Sequence, residues 1–320
     1  TRELWVTHSK TEDFHEIPLN SFLVFTDQPQ RNNVLSLFEK QEYPHRVDAN
    51  GQPDTPYDVA GWTLPLQMGV ETYEVWDIRD LDKFRPTLKK VTDQNQVRTT
   101  VNLDPSSTSF AKFNDPLKSN PKIGLYKPFT SSMDEGWTRL VFDNYQIPYK
   151  SLSNEDFRQN RLGVDVIVLP ADGEATMLNG LNANRYPAEF AGGIGDIGVE
   201  NLKRFVENGG KLVCLDDSCE LVIKRFNLPI KNLLNGVARR DFYNPGSIVK
   251  IDVDTRDPLA RGVREETAAY FINSSAFEIT DTSKVTSVAT YAAKDALMSG
   301  WMLGEKLING KTALAETTYG

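Results

Sequence analysis

Val164-Asp165-Val166-Ile167-Val168-Leu169 is the strongest strand signal in the sequence, an apolar, largely β-branched run that suits a strand buried on both faces. Its surroundings repeat the pattern. Ile123-Gly124-Leu125-Tyr126 reads as a short apolar strand, followed by Ser132-Met133-Asp134-Glu135, which fits a capping box. Ser132 would accept from the N–H of Glu135 while the Glu135 side chain reaches back, opening a helix to about Asn144. After Leu169 comes a long excursion, then a helix from Val199 to Glu207 that ends at Asn208-Gly209-Gly210, where glycine supplies a left-handed stop. Lys211-Leu212-Val213-Cys214-Leu215 is the next strand, and a helix from about Ser218 to Phe226 follows, with Asp217 and Glu220 placed to cap it. Strands alternating with helices at this spacing predict a parallel sheet with helices on both faces.

The class expected is therefore α/β, with a flavodoxin-like doubly wound parallel sheet over 122–320 whose ligands lie beyond the carboxyl ends of its strands. Further strands are expected at Ser247–Val253, Val285–Tyr291 and around Ala313-Leu314-Ala315. Residues 1–105 read differently, as a smaller, loop-rich α+β region. It holds strand-like runs at Ser21–Phe25 and Val70–Trp76 and a short helix within Asn32–Gln41. Between the two, Pro105, Ser106, Ser107, Pro116, Ser119 and Pro121 mark a linker over about 106–121.

Composition narrows the function classes. The 320 residues carry a formal charge of −8, with acidic side chains scattered along the chain. A nucleic-acid partner is disfavoured, because such affinity needs a basic stripe. No run of about 18 apolar residues occurs, so no membrane span is expected. Thr1-Arg2-Glu3-Leu4-Trp5 lacks the pattern of a signal peptide, and a chain that opens without Met agrees with a piece of something longer. Two cysteines, Cys214 and Cys219, exclude a disulfide framework and make a structural zinc site unfavourable. Histidine is confined to His8, His15 and His45, so any chemistry in the second half proceeds without imidazole.

Several motifs bear on a site. Gly193-Ile194-Gly195-Asp196-Ile197-Gly198 fits G-x-G-x-x-G, but 22 residues separate Pro170 from Gly193, whereas a dinucleotide fingerprint leaves its strand directly. A helix-start loop is the better reading. Ser218 and Cys219 lie just past a strand, where a nucleophile elbow belongs. Asp216-Asp217-Ser218-Cys219-Glu220 offers no glycine to relax that turn, no histidine follows, and neighbouring carboxylates oppose thiolate formation. Cys219 is thus only a weak catalytic candidate. Asp134, Glu135, Asp172, Asp216 and Asp217 are candidates for a strand-end rim that binds a cation or a hydroxyl-rich ligand. Capping explains Glu135 equally well, and an Asp-Gly turn explains Asp172. His8, Glu12, His15 and Glu16 lack metal-site spacing and read as a solvated face. In Pro56–Val70, Tyr57 and Trp62 are expected to bury area with their polar tips partnered, or to line a groove.

Pro56–Val70, Ile123–Tyr126 and Met133-Asp134-Glu135-Gly136-Trp137-Thr138-Arg139 together resemble the region after the catalytic domain in a bacterial group of zinc carboxypeptidase-like metallopeptidases. Tyr186–Gly195, Phe242–Ser247 and Ser299-Gly300-Trp301 are similar to that group's C-terminal domain, which is like class I glutamine amidotransferases in fold. The resemblance spans most of the chain from about Ser21. It implies a parent that hydrolyses C-terminal peptide bonds with a zinc-activated water, the zinc and its H-x-x-E ligands lying in a missing N-terminal portion. It also implies export, and a chain that continues past Gly320 into one more apolar strand. No metal ligand carries over onto this sequence, and the glycine-flanked cysteine and downstream His-Glu pair of amidotransferases are absent. The expectation is a non-catalytic accessory region, with the parent's peptidase domain as its partner in cis and a small-molecule or carbohydrate ligand. The alternatives are an independent amidotransferase-like hydrolase using Cys219, and a carbohydrate- or nucleotide-binding module.

Overall fold

The structure, a computed structural model, describes residues 5–7, 21–44, 46–72, 88–93 and 121–320. His8, Glu12, His15, Glu16, His45 and nearly all of the expected linker lie outside these residues. So does most of the expected strand at Val70–Trp76, whose first three residues form no strand. Near the N-terminus, β1 (Trp5–Thr7), β2 (Phe22–Leu23) and, further along, β3 (Leu88–Lys90) form a small antiparallel sheet in the order β2-β1-β3. Helices α1 (Arg31–Phe38) and α2 (Leu64–Gln67) fall between β2 and β3.

From Ile123 the doubly wound pattern is realised. Strands β4 (Ile123–Tyr126), β5 (Tyr149–Leu152), β6 (Val166–Leu169) and β7 (Lys211–Cys214) are all parallel, in the order β5-β4-β6-β7. That is the strand order of a flavodoxin-like sheet. Helices α3 (Met133–Asn144), α4 (Asn154–Arg158), α5 (Glu174–Asn179), α6 (Gly195–Glu207) and α7 (Ser218–Arg225) make the crossovers. One face of the sheet, with Tyr126, Leu152, Ile167, Leu169 and Cys214, packs on Phe157, Met177, Leu202 and Leu221 of α4 to α7. Right-handed crossovers place α3 on the other face. That helix leaves Met133, Trp137, Leu140 and Val141 exposed.

Local signals explain most boundaries. Ser132 accepts from the N–H of Glu135 at 3.2 Å, but the reciprocal half of the expected capping box is missing: the buried Glu135 carboxylate turns to the partly exposed Arg139 and pairs with it. The complete capping box is at Ser153 and Asp156, opening α4. Helix α6 starts four residues earlier than expected, so Gly195 and Gly198 belong to it. The glycines of this motif serve packing. A Cβ on Gly193 would stand 2.2 Å from the Met177 carbonyl, and one on Gly198 2.7 Å from Ile194 Cβ. Asp217 precedes α7 but makes no side-chain cap bond.

Beyond α7 the chain builds a second, larger sheet. Strands β8 (Ile230–Asn232), β9 (Ser247–Val253), β10 (Glu266–Phe271), β11 (Phe277–Ile279), β12 (Val285–Tyr291), β13 (Leu297–Ser299) and β14 (Thr312–Thr317) pair antiparallel in the order β10-β9-β12-β14-β11-β8, with β13 beside β9. The expected strands at 247–253 and 285–291 have these bounds, but they belong to this antiparallel sheet and do not extend the parallel one. A bulge at Ser287–Ala289 breaks the alternation of β12 and lets Val288 and Ala289 both face inward.

Two stretches of the N-terminal segment converge on this sheet. The Gly246 carbonyl accepts from the N–H groups of Ala60 and Gly61, both at 2.8 Å. Thr63 Oγ1 and Ser299 Oγ share a buried hydrogen bond of 2.7 Å, and Ser299 Oγ also accepts from the Gln41 N–H. The approach is close enough that a Cβ on Gly61 would lie 3.0 Å from backbone atoms of Ser247, Ile248 and Ser299. Tyr57, expected to bury area, is fully exposed; Trp62 is also exposed, its indole donating to the Val59 carbonyl at 2.9 Å. Among the described residues no helix is long and apolar enough to cross a membrane.

Candidate functional site

The parallel strands end in loops that form one rim, and the turn after β7 is its most specialised part. Leu215, Asp216 and Asp217 join β7 to α7, and Asp216 takes a left-handed φ of 51°. A non-glycine residue there is uncommon, and Asp is among the few that tolerate it. Ser218 fixes the turn. Fully buried, its hydroxyl accepts from the Leu215 N–H at 2.9 Å and lies within hydrogen-bond distance of the Leu169 and Leu215 carbonyls. The elbow sought from the sequence therefore exists, but its tip is Asp216. Ser218 is a structural pin, and Cys219 lies beyond the tip on the first turn of α7.

Cys219 is poorly placed for nucleophilic work. Its Sγ points back to the Cys214 carbonyl at 3.5 Å. Burial, then the carboxylates of Asp216, Glu220 and Asp217, push the thiol up to about 12. Cys214 is also raised, chiefly by burial. A thiol becomes nucleophilic when positive charge or a helix dipole stabilises its thiolate, and here the surrounding charge is negative.

Four of the five rim carboxylates interact. Burial pushes Asp216 up to about 6, with Asp217 and Asp134 adding repulsion and the Ser274 hydroxyl opposing it. Asp217 is raised by burial, Glu220 and Asp134, and Asp172 by burial and Asp217. Glu135 does not join them, because its carboxylate is buried against Arg139. Among the described residues no three carboxylate, thiol or imidazole groups are disposed to hold a metal ion.

The rim also contains residues the sequence did not single out. Ser274, on the loop after β10, donates to Asp216 Oδ2 at 3.1 Å, while Asp216 Oδ1 is buried with no partner among the described residues. Tyr126, at the end of β4, donates to Asn154 Oδ1 at 2.8 Å and is raised by burial and by Asp172. Phe129, in the loop that follows, stacks on Phe190 at 4.2 Å. The Asn154 amide donates to the Gly192 carbonyl at 3.0 Å, fastening the long excursion before α6 to this rim. Tyr126 ends an expected strand, but nothing in the sequence joins Ser274 to Asp216, 58 residues away.

No family model and no curated protein matches the chain. Among solved structures, the chain is similar to a Thermoplasma acidophilum protein described as a GMP synthase subunit, at 12% identity and a TM-score of 0.35, over 53% of this chain and 73% of that one. It is also similar to a glutamine amidotransferase from Thermotoga maritima, at 9% identity and a TM-score of 0.35, over 58% of this chain and 72% of that one. Likeness at this level bears on neither activity nor substrate. The flavodoxin-like assignment rests on strand order and crossovers.

Proposed function

We propose that the parallel-sheet domain is an amidotransferase-like scaffold that recognises a ligand at its strand-end rim without covalent chemistry at Cys219. One observation supports this reading: the elbow tip is Asp216, a half-buried acid with one oxygen unpartnered among the described residues, and the nearby thiol is held protonated by burial and negative charge. A carboxyl group in that state suits hydrogen bonding to a hydroxyl or an ammonium group. The resemblance to zinc carboxypeptidase-like proteins adds an accessory role beside a peptidase portion in cis.

Alkylation of the native protein with iodoacetamide near neutral pH tests the reading. Modification of Cys219 about a hundredfold or more slower than that of free cysteine is expected. Rapid modification, together with glutamine or peptide-amide hydrolysis that disappears in Cys219→Ser, would establish the hydrolase instead. A thermal-shift screen with polyols, sugars and amines then identifies the ligand class, since a compound that binds the native state raises its midpoint. A shift that survives Asp216→Asn unchanged would place binding elsewhere.

A further inference from the structure

A pocket lies away from the elbow, where the N-terminal segment meets the larger antiparallel sheet. It is an open hollow of about 300 Å³, with Tyr43, Pro44, Pro56 and Trp301 in its walls and Arg46 and Asp54 at its polar edge. A hairpin sets the last two side by side. Asp48 Oδ1 accepts from the N–H groups of Asn50 and Gln52, Val47 pairs with Pro53, and the Asp54 N–H donates to the Arg46 carbonyl at 2.9 Å. Although they share the pocket, Arg46 and Asp54 form no ion pair with each other, and neither side chain has a hydrogen-bond partner among the described residues.

The wall is fixed. Trp301 is only 2% exposed, with its backbone clamped to Ser247 Oγ at 2.8 and 3.0 Å and its ring meeting Tyr243 edge-on at 5.9 Å. The pocket therefore combines one exposed cation, one exposed anion and apolar walls.

We propose that this pocket binds a free amino acid with an apolar side chain. The carboxylate would meet Arg46, the ammonium Asp54, and the side chain the aromatic and proline walls. A phosphate or a metal cation would face a like charge on one side, and a neutral sugar would leave both charges uncompensated. This site is separate from the Asp216 rim and independent of its reading.

Calorimetric titration of the whole chain with phenylalanine, N-acetylphenylalanine and phenylalanine amide tests the proposal. Saturable binding of phenylalanine is expected, with each analogue weaker by about tenfold or more because it lacks one charge. Arg46→Ala should weaken phenylalanine but not the amide, and Asp54→Asn should weaken phenylalanine but not the N-acetyl form. Asp216→Asn should change none of these. Absence of saturable binding by phenylalanine, equal binding of the three compounds, or tighter binding of glucose would overturn it.

Discussion

Ser274 Oγ donates to Asp216 Oδ2 across 3.1 Å, so the tip of the parallel-sheet elbow is held by a loop of the antiparallel sheet. The donor offsets part of what burial costs the carboxylate, yet Asp216 still lies at about 6.

This produces a pH dependence with a definite sign. An acid raised from about 4 when unfolded to about 6 when folded binds more protons in the native state between those values, so stability falls as pH rises through that window. Above it the loss is complete and constant. Asn suits a left-handed backbone and cannot ionise. Asp216→Asn should therefore stabilise the protein by about 1–2 kcal/mol near pH 7.5, with the gain fading toward pH 4. Urea unfolding at the two pH values measures it; a gain independent of pH would contradict the burial argument.

Ser218→Ala should be among the costlier polar substitutions. It removes a fully buried hydroxyl that binds the Leu215 N–H and two carbonyls, although that N–H keeps the Leu169 carbonyl as an acceptor at 3.0 Å. A loss of about 1–2 kcal/mol in chemical unfolding is expected, and a loss below half that would mean the turn relaxes.

The two serines that open helices should differ. Ser153→Ala removes both bonds of the hydroxyl, which accepts from the Asp156 N–H and donates to Asp156 Oδ2, but leaves the backbone N–H of that position on the same carboxylate; it should cost about 1 kcal/mol, whereas Ser132→Ala removes one bond and should cost about half as much. Thermal melts of the two variants side by side give the comparison.

Gly61→Ala acts as a wedge. The added methyl meets three backbone atoms that cannot swing aside, so a cost of about 1–3 kcal/mol is expected. Because the contact joins residues 39–71 to the sheet, limited proteolysis should cut that segment first. Unchanged cleavage would show that other contacts hold it.

The parallel sheet is legible because its strands are buried runs separated by helices with readable starts and stops. β5 escapes because Tyr149-Lys150-Ser151-Leu152 is an edge strand with two exposed polar residues and lacks that signature. The antiparallel sheet is readable only in part: β9 and β12 are long enough to stand out as strands, while β8, β11 and β13 have three residues each and take their character from their partners. At the rim the acids are visible from residue types alone, but their setting is not. The i,i+4 spacing of Glu135 and Arg139 is a local sign that Glu135 would leave the rim to Asp134, but the left-handed tip depends on how Ser218 is anchored to the end of β6.

The bond between the Gln41 N–H and Ser299 spans 258 positions. At a translation rate of about 5–20 residues per second, the N-terminal segment leaves the ribosome some tens of seconds before its docking surface exists. Until then Ala60, Thr63 and Pro65, buried in the folded protein, have no sheet to meet, so this stretch stays open to a nascent-chain chaperone.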